Sequence, residues 1–167
     1  MANRDIPSGF TKPMSKTGRP PYITPWKNTA VAVFKGDAVD FDGSGRVRSA
    51  TGTPSTIIPD GVAINHRSAT VNQTVFVYTQ LEDLTFEVQC DDNTITDDTT
   101  IGISYDITCP TGNTTTLQSA HELDADSTNT GQARHTHLIT RPDNDDTLTN
   151  NKVRIEFATI GVTAVVS

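Results

Sequence analysis

Cysteine, aromatic residues, long apolar runs and catalytic signatures are all scarce in this chain, and each shortage excludes something. Two cysteines in 167 residues are too few for a disulfide framework. Cys90 and Cys109 stand neither in a Cys-x-x-Cys pair nor beside a histidine cluster, so reduced thiols are expected, a single bridge between them being the alternative. No apolar run approaches the roughly 18 residues that a membrane-spanning helix needs. The opening Met-Ala-Asn-Arg-Asp has no apolar core of a secretory signal, so a chain made and kept soluble is expected. Without a secretory signal the acceptor-like triplets at Asn72 and Asn113 carry no weight. No Gly-x-Ser-x-Gly, phosphate loop or Gly-x-Gly-x-x-Gly occurs, and His121-Glu122 lacks the second histidine of a zinc-protease helix. The expectation is a protein that is not an enzyme and holds no cofactor or metal.

What is present favours strands. Thr, Val, Ile, Asp, Asn and Gly are abundant and Leu and Lys few, a composition for short strands joined by turns. With 34% hydrophobic and 6% aromatic residues, the core is thin. The longest β-favouring run is Val75 to Cys90. Val75, Val77 and Thr79 alternate there with Phe76, Tyr78 and Gln80, and Leu84, Phe86 and Val88 with Thr85, Glu87 and Gln89. The period of two predicts two strands broken by a reversal or kink at Glu82-Asp83, the second with one buried and one wet face. Further strands are expected at Ala30–Phe34, Ala38–Phe41, Arg46–Ala50, Gly61–Ile64, Ile101–Thr108, His135–Thr140 and Asn151–Thr159. Ser119 and Glu122 have the spacing of a capping box, which predicts one helical turn over 119–124. Ile160 to Val166 is apolar and is expected to pair at a sheet edge or against another subunit.

Residues 1–28 read as a separate segment, an extended N-terminal arm ahead of a body at 29–167. Pro7, Pro13, Pro20, Pro21 and Pro25 exclude a regular helix or a central strand. The segment is also basic: Arg4, Lys12, Lys16, Arg19 and Lys27 face Asp5 alone, a surplus of four in a chain whose net charge is -7, which leaves -11 for the remainder. Ile6, Phe10, Tyr22, Ile23 and Trp26 are spaced along it. Apolar anchors on a proline-stiffened basic strand suit docking onto an acidic neighbour at reduced entropic cost. Arg4, Ile6, Phe10, Lys12, Tyr22, Ile23 and Trp26 are therefore the candidate contact residues. Nucleic acid is the weaker partner, because the cations are not clustered and phosphate repels the acidic body.

Several stretches are weighed as metal sites. Asp40-Phe-Asp-Gly-Ser-Gly45 begins like a calcium loop, but the twelfth position is Thr51 rather than a carboxylate, and a glycine-rich hairpin is the better reading. Asp91-Asp92 with Asp97-Asp98, and Asp143 to Asp146, are read as solvated loops. His135 and His137 share a face on a regular strand and are read as surface histidines, with a metal on an oligomer axis as the rival. His66 stands alone.

Lys35-Gly-Asp-Ala-Val39, Asp42-Gly-Ser-Gly-Arg-Val47, Gly61-Val-Ala63, Arg141-Pro-Asp-Asn144 and Asn151-Lys-Val-Arg-Ile155 together resemble the head decoration, or cement, proteins of tailed bacteriophages. The likeness spans residues 30–158 loosely. It implies an all-β fold, a small β-barrel or β-tulip domain, made in the host cytoplasm and placed on the outer face of the virion capsid as a homotrimer. There it would cement neighbouring major capsid protein subunits against internal pressure, with no nucleic acid or membrane as partner. The alternative is another virion part, such as a head fibre base, a tail component or a host-adhesion module.

Overall fold

The computed structural model describes residues 5–51, 59–91, 95, 98–126, 131–145 and 147–158. These residues are all-β, as expected. Eleven strands follow in order: β1 (Thr11–Ser15), β2 (Ile23–Asn28), β3 (Ala38–Phe41), β4 (Arg46–Ser49), β5 (Gly61–Ala63), β6 (Thr74–Tyr78), β7 (Leu84–Gln89), β8 (Ser104–Thr108), β9 (Glu122–Asp124), β10 (Ala133–Leu138) and β11 (Lys152–Phe157). Two sheets hold them: a closed barrel β2-β4-β3-β5-β6 and a six-stranded sheet β1-β7-β11-β10-β8-β9. The Cys90–Leu123 bridge and the Asp91 N–H donating to the Leu123 carbonyl (3.0 Å) bring β9 back to the end of β7 and curl the second sheet on itself.

Alternation places the core. Val39, Val47, Ala63, Val75 and Val77 fill the barrel. Phe86, Val88, Val153, Ile155, Phe157, Ile107 and Leu123 form the larger cluster inside the curled sheet, which Ala38, Ala50 and Val62 join from the outer wall of the barrel. The long run from Val75 is no hairpin. A 3-10 turn at Leu81–Asp83, entered through Gln80 at φ 58°, passes the chain from β6 in the barrel to β7 in the other sheet. The Asp42–Gly45 turn does close a hairpin: Asp42 Oδ1 accepts the Ser44 and Arg46 N–H groups at 2.9 and 2.8 Å, and Gly45 takes φ +74°.

Several expectations are corrected. The body does not begin at residue 29, because β1 pairs with β7 and β2 is a barrel strand, antiparallel to β6 and parallel to β4. The prolines that argued against strands occupy positions needing no donor. Pro25 faces Phe76, whose own N–H goes the other way to Asn65 Oδ1 (2.7 Å), so this pair exchanges no hydrogen bond. Pro13 sits in a bulge of an edge strand, where the register shifts between Thr11 and Met14. Ala30–Phe34 forms only a bridge, Val33 to Arg67. No helical turn forms at 119–124: strand β9 takes Glu122–Asp124, and just ahead of it the Ser119 hydroxyl accepts the His121 N–H (3.0 Å). Neither face of β7 is wet; all six residues are buried. Ile160 to Val166 lies outside the described residues.

Candidate functional site

The sequence-predicted contact residues separate into four groups, one of them Lys12 alone, which is ion-paired to Glu87 on the curled sheet. Phe10 is 2% exposed and stacks against Phe157 at 4.8 Å and edge-on to Phe86 at 6.5 Å. Trp26 packs on Phe41 at 4.3 Å against the barrel core. Both are corrected from docking anchors to packing residues of their own chain, since large rings find more contact inside than an extended arm could offer outside. Arg4 lies outside the described residues. Tyr22, Ile23 and Ile6 remain at the surface, 59%, 49% and 51% exposed; the Ile6 backbone N–H donates to Gln89 Oε1 (3.3 Å).

Tyr22 and Ile23 belong to an apolar strip on the barrel wall. In the β2–β6 register, Ile23 faces Tyr78, Pro25 faces Phe76 and Lys27 faces Thr74. Directly opposed residues share a face, so these side chains all point away from the barrel interior, which takes Thr24, Trp26, Val75 and Val77. Phe76 is 43% exposed. The barrel wall holds Ile23, Pro25 and Phe76 rigidly, and Tyr22 flanks them. Phe76 was not among the candidates, although its place in the alternation, opposite Val75 and Val77, marks it as facing outward.

A second surface is the outer face of the curled sheet. Glu87 is buried and receives Lys12 (2.9 Å), Arg141 (2.9 Å) and Arg154 (3.0 Å). Glu156 is bonded by Lys16 (2.9 Å) and by Arg134. Lys12, Lys16, Arg134, Arg141, Lys152 and Arg154 thus share a face with two glutamates, a basic patch on an acidic protein. Burial desolvates Glu87 and works to raise its carboxyl, but hydrogen bonds from Lys12 and Arg141 and their charges together hold it below the ordinary glutamate range. Glu156 follows the same pattern through Lys16 and Arg134. Asn144 fixes the turn that delivers Arg141: its side chain donates to the Ile139 and Lys152 carbonyls (2.6 and 3.0 Å) and accepts the Lys152 N–H (2.5 Å).

A serine, a histidine and an aspartate also meet, at the seam of the two sheets. His121 and Asp37 are fully buried, His121 Nε2 lies 3.5 Å from Asp37 Oδ1 and 3.4 Å from Ser49 Oγ. His121 Nδ1 accepts the Ala38 N–H at 3.1 Å. That bond fixes the proton on Nε2, the nitrogen nearest Ser49, so the ring has no lone pair aimed at the hydroxyl. A general base must face its nucleophile with that lone pair. The arrangement ties β3 to the stretch before β9 and does not activate Ser49. Desolvation lowers the affinity of His121 for a proton, against an opposing pull from Asp37.

The histidines of β10 do not share a face. A bulge between them pairs His135 with Ile155 and His137 with Arg154, so His135 is buried, 3.0 Å from Thr100 Oγ1, while His137 is exposed. His66 stacks on Phe34 at 5.0 Å. Asp92, Asp97 and Asp146 lie outside the described residues, among which no three metal-ligating side chains converge. Cys90 and Cys109 are buried free thiols. Among the described residues no helix is long and apolar enough to cross a membrane. No family model, curated protein or solved structure matches the chain.

Proposed function

We propose that the chain is a structural protein of a virus particle, which binds the outer surface of an assembled capsid as a homotrimer and cements neighbouring major capsid protein subunits. The reading is carried by the strip Tyr22, Ile23, Pro25 and Phe76, an apolar contact surface held on a rigid barrel wall. Exposed rings and branched chains on a fixed scaffold bind without the ordering cost of a loose tail. Support also comes from where the resembling stretches fall. Lys35–Val39 leads into β3, Asp42–Val47 is the β3–β4 turn, Gly61–Ala63 is β5, and Arg141–Asn144 is the turn that carries Arg141 to Glu87. A protein of this kind works by mass action: it binds the assembled lattice better than free subunits and shifts the equilibrium toward the intact shell.

The test is decoration. Undecorated heads are incubated with the purified chain and with a Tyr22→Asp, Ile23→Asp variant, then imaged by electron cryomicroscopy. Density for the wild type distributed over the shell, with the variant absent, is the expected result. Wild-type density confined to the tail or one vertex would transfer the protein to another virion role, and no particle density at all would end the reading.

A further inference from the structure

The face of the curled sheet contains a depression of about 220 Å³, lined by Lys12, Lys35, Lys152, Thr11, Gln118 and Glu87 among others. Its three lysines come from three separate stretches: the β1 bulge, the turn before β3, and the first residue of β11. We propose that this depression is a recognition site for an acidic segment of a partner protein, whose carboxylates seat between the three ammonium groups. The inference does not depend on the partner being a capsid.

Charge imbalance is the first ground. Glu87 is the lone carboxylate of the lining, and it is already engaged by Lys12, Arg141 and Arg154 at 2.9 to 3.0 Å. Lys35 and Lys152 form no ion pair among the described residues. Lys12, Arg141 and Arg154 thus gather on one carboxylate, Arg141 reaching Asp143 as well (3.4 Å). Asp5 and Glu122 accept from Gln89, which faces Lys152, at 3.2 and 3.1 Å. With no carboxylate among the described residues in ion-pair contact with Lys35 or Lys152, these two ammonium groups leave the site able to take an anion.

The conformation of Lys12 is the second ground. It adopts φ 45°, a left-handed backbone that costs a non-glycine residue free energy, within the bulge of an edge strand. Bulges re-aim a side chain; this one turns Lys12 toward Glu87 and the depression.

The donor chemistry selects the kind of anion. Guanidinium forks, which suit the geometry of phosphate, are committed to Glu87, while the free donors are lysines, point charges on flexible stems that accept carboxylates without a fixed bite. Lys35 is exposed and the depression open, so a small free anion placed there would keep much of its water. A carboxylate on a polypeptide brings further contacts. β1 is the outer strand of its sheet, and Met14 within it is 56% exposed, giving flanking residues an apolar neighbour.

The probe is an octa-glutamate peptide titrated into the full chain by calorimetry, at low and at physiological salt, beside a Lys35→Glu, Lys152→Glu variant. Neither lysine makes an ion pair, so the variant is expected to fold, which its urea transition checks. Should that variant fail to fold, Lys35→Ala with Lys152→Ala replaces it. The wild type is expected to bind, with affinity falling at the higher salt and about tenfold in the variant, and with inorganic phosphate unable to compete. Equal affinity of a folded variant, or no binding by the wild type, would overturn the site. Competition by phosphate at matched charge would overturn the acidic-segment assignment. The Tyr22→Asp, Ile23→Asp variant is expected to bind the peptide normally, so failure here is separable from failure of head decoration.

Discussion

A Cβ on Gly9 would lie 2.2 Å from the carbonyl oxygen of Gly36, and a Cβ on Gly36 would lie 2.2 Å from that of Ser8. The two backbones touch because both residues are glycine and both take positive φ, +65° and +92°. The Phe10 N–H donates to the Gly36 carbonyl at 2.9 Å, which ties the leading segment to the turn before β3. Gly36→Ala therefore combines a left-handed alanine with a backbone clash, an expected loss of about 3 kcal/mol in urea denaturation. A loss under about 1 kcal/mol would show that the contact yields easily.

The same contact delivers Phe10 to the core, and it reverses what truncation should do. Deleting residues 1–28 removes Phe10, edge strand β1 and barrel strand β2. A barrel opened at β2 exposes the edges of β4 and β6 and the valines behind them. The expected product is an unfolded or aggregated chain, seen as loss of the cooperative transition. Phe10→Ala alone is expected to cost about 3–5 kcal/mol. A soluble, cooperatively folding truncated body would restore the reading of a detachable arm.

Local rules carried the strands and failed at what long-range pairing decides. The alternation of Lys152, Arg154 and Glu156 with Val153, Ile155 and Phe157 makes β11 readable, and the glycines after Asp42 mark the hairpin. β1 and β2 were obscured by Pro13 and Pro25, since nothing local says that one lies in an edge bulge and the other opposite a residue with its N–H turned away. Glu87 looked solvent-facing because its partners Lys12, Arg141 and Arg154 stand 54 to 75 positions away in sequence. Tyr22 and Ile23 lie at the surface, while Phe10 and Trp26, which carry the same local signal of an aromatic among prolines, pack on their own chain.

The carboxyl of Glu87 gives a signed dependence on pH. Its folded-state value lies below the ordinary one, so the folded chain binds fewer protons than the unfolded chain in that window. The stabilisation is present above the unfolded glutamate value, about 4.3, and is lost as pH falls through the lower folded value. Glu87→Gln should weaken the fold at neutral pH by about 3 kcal/mol, because Arg154 and Arg141 then face each other without a counter-charge. It should also flatten the acid limb of the stability curve below about pH 4.5. Parallel curves for wild type and variant would contradict the ion-pair account.

Buried thiols should be inert. Desolvation pushes both Cys90 and Cys109 up to about 12, so the reactive thiolate is scarce at neutral pH. Ellman's reagent should label neither residue in the native chain and both in denaturant. Rapid labelling of either without denaturant would show that the core opens around it.

His121 should impose a separate acid limb at higher pH. Its ring is held neutral by burial, more than Asp37 opposes, while the unfolded chain takes up the proton near the ordinary value of about 6.5. As pH falls below that value the unfolded state gains a proton the folded state resists, so stability drops by at most about 1.4 kcal/mol per pH unit until the folded ring also titrates. Denaturation free energies should therefore decline from about pH 7 toward pH 5, above the window of Glu87. The decline should shrink in His121→Asn, in which no ring is left to titrate. Nitrogen NMR of the wild type provides the structural half of the test: Nε2 should be the protonated nitrogen, because Nδ1 accepts from Ala38 at 3.1 Å. A protonated Nδ1 would break that assignment and reopen Ser49 as a nucleophile, since the free lone pair would then lie on the nitrogen 3.4 Å from its hydroxyl.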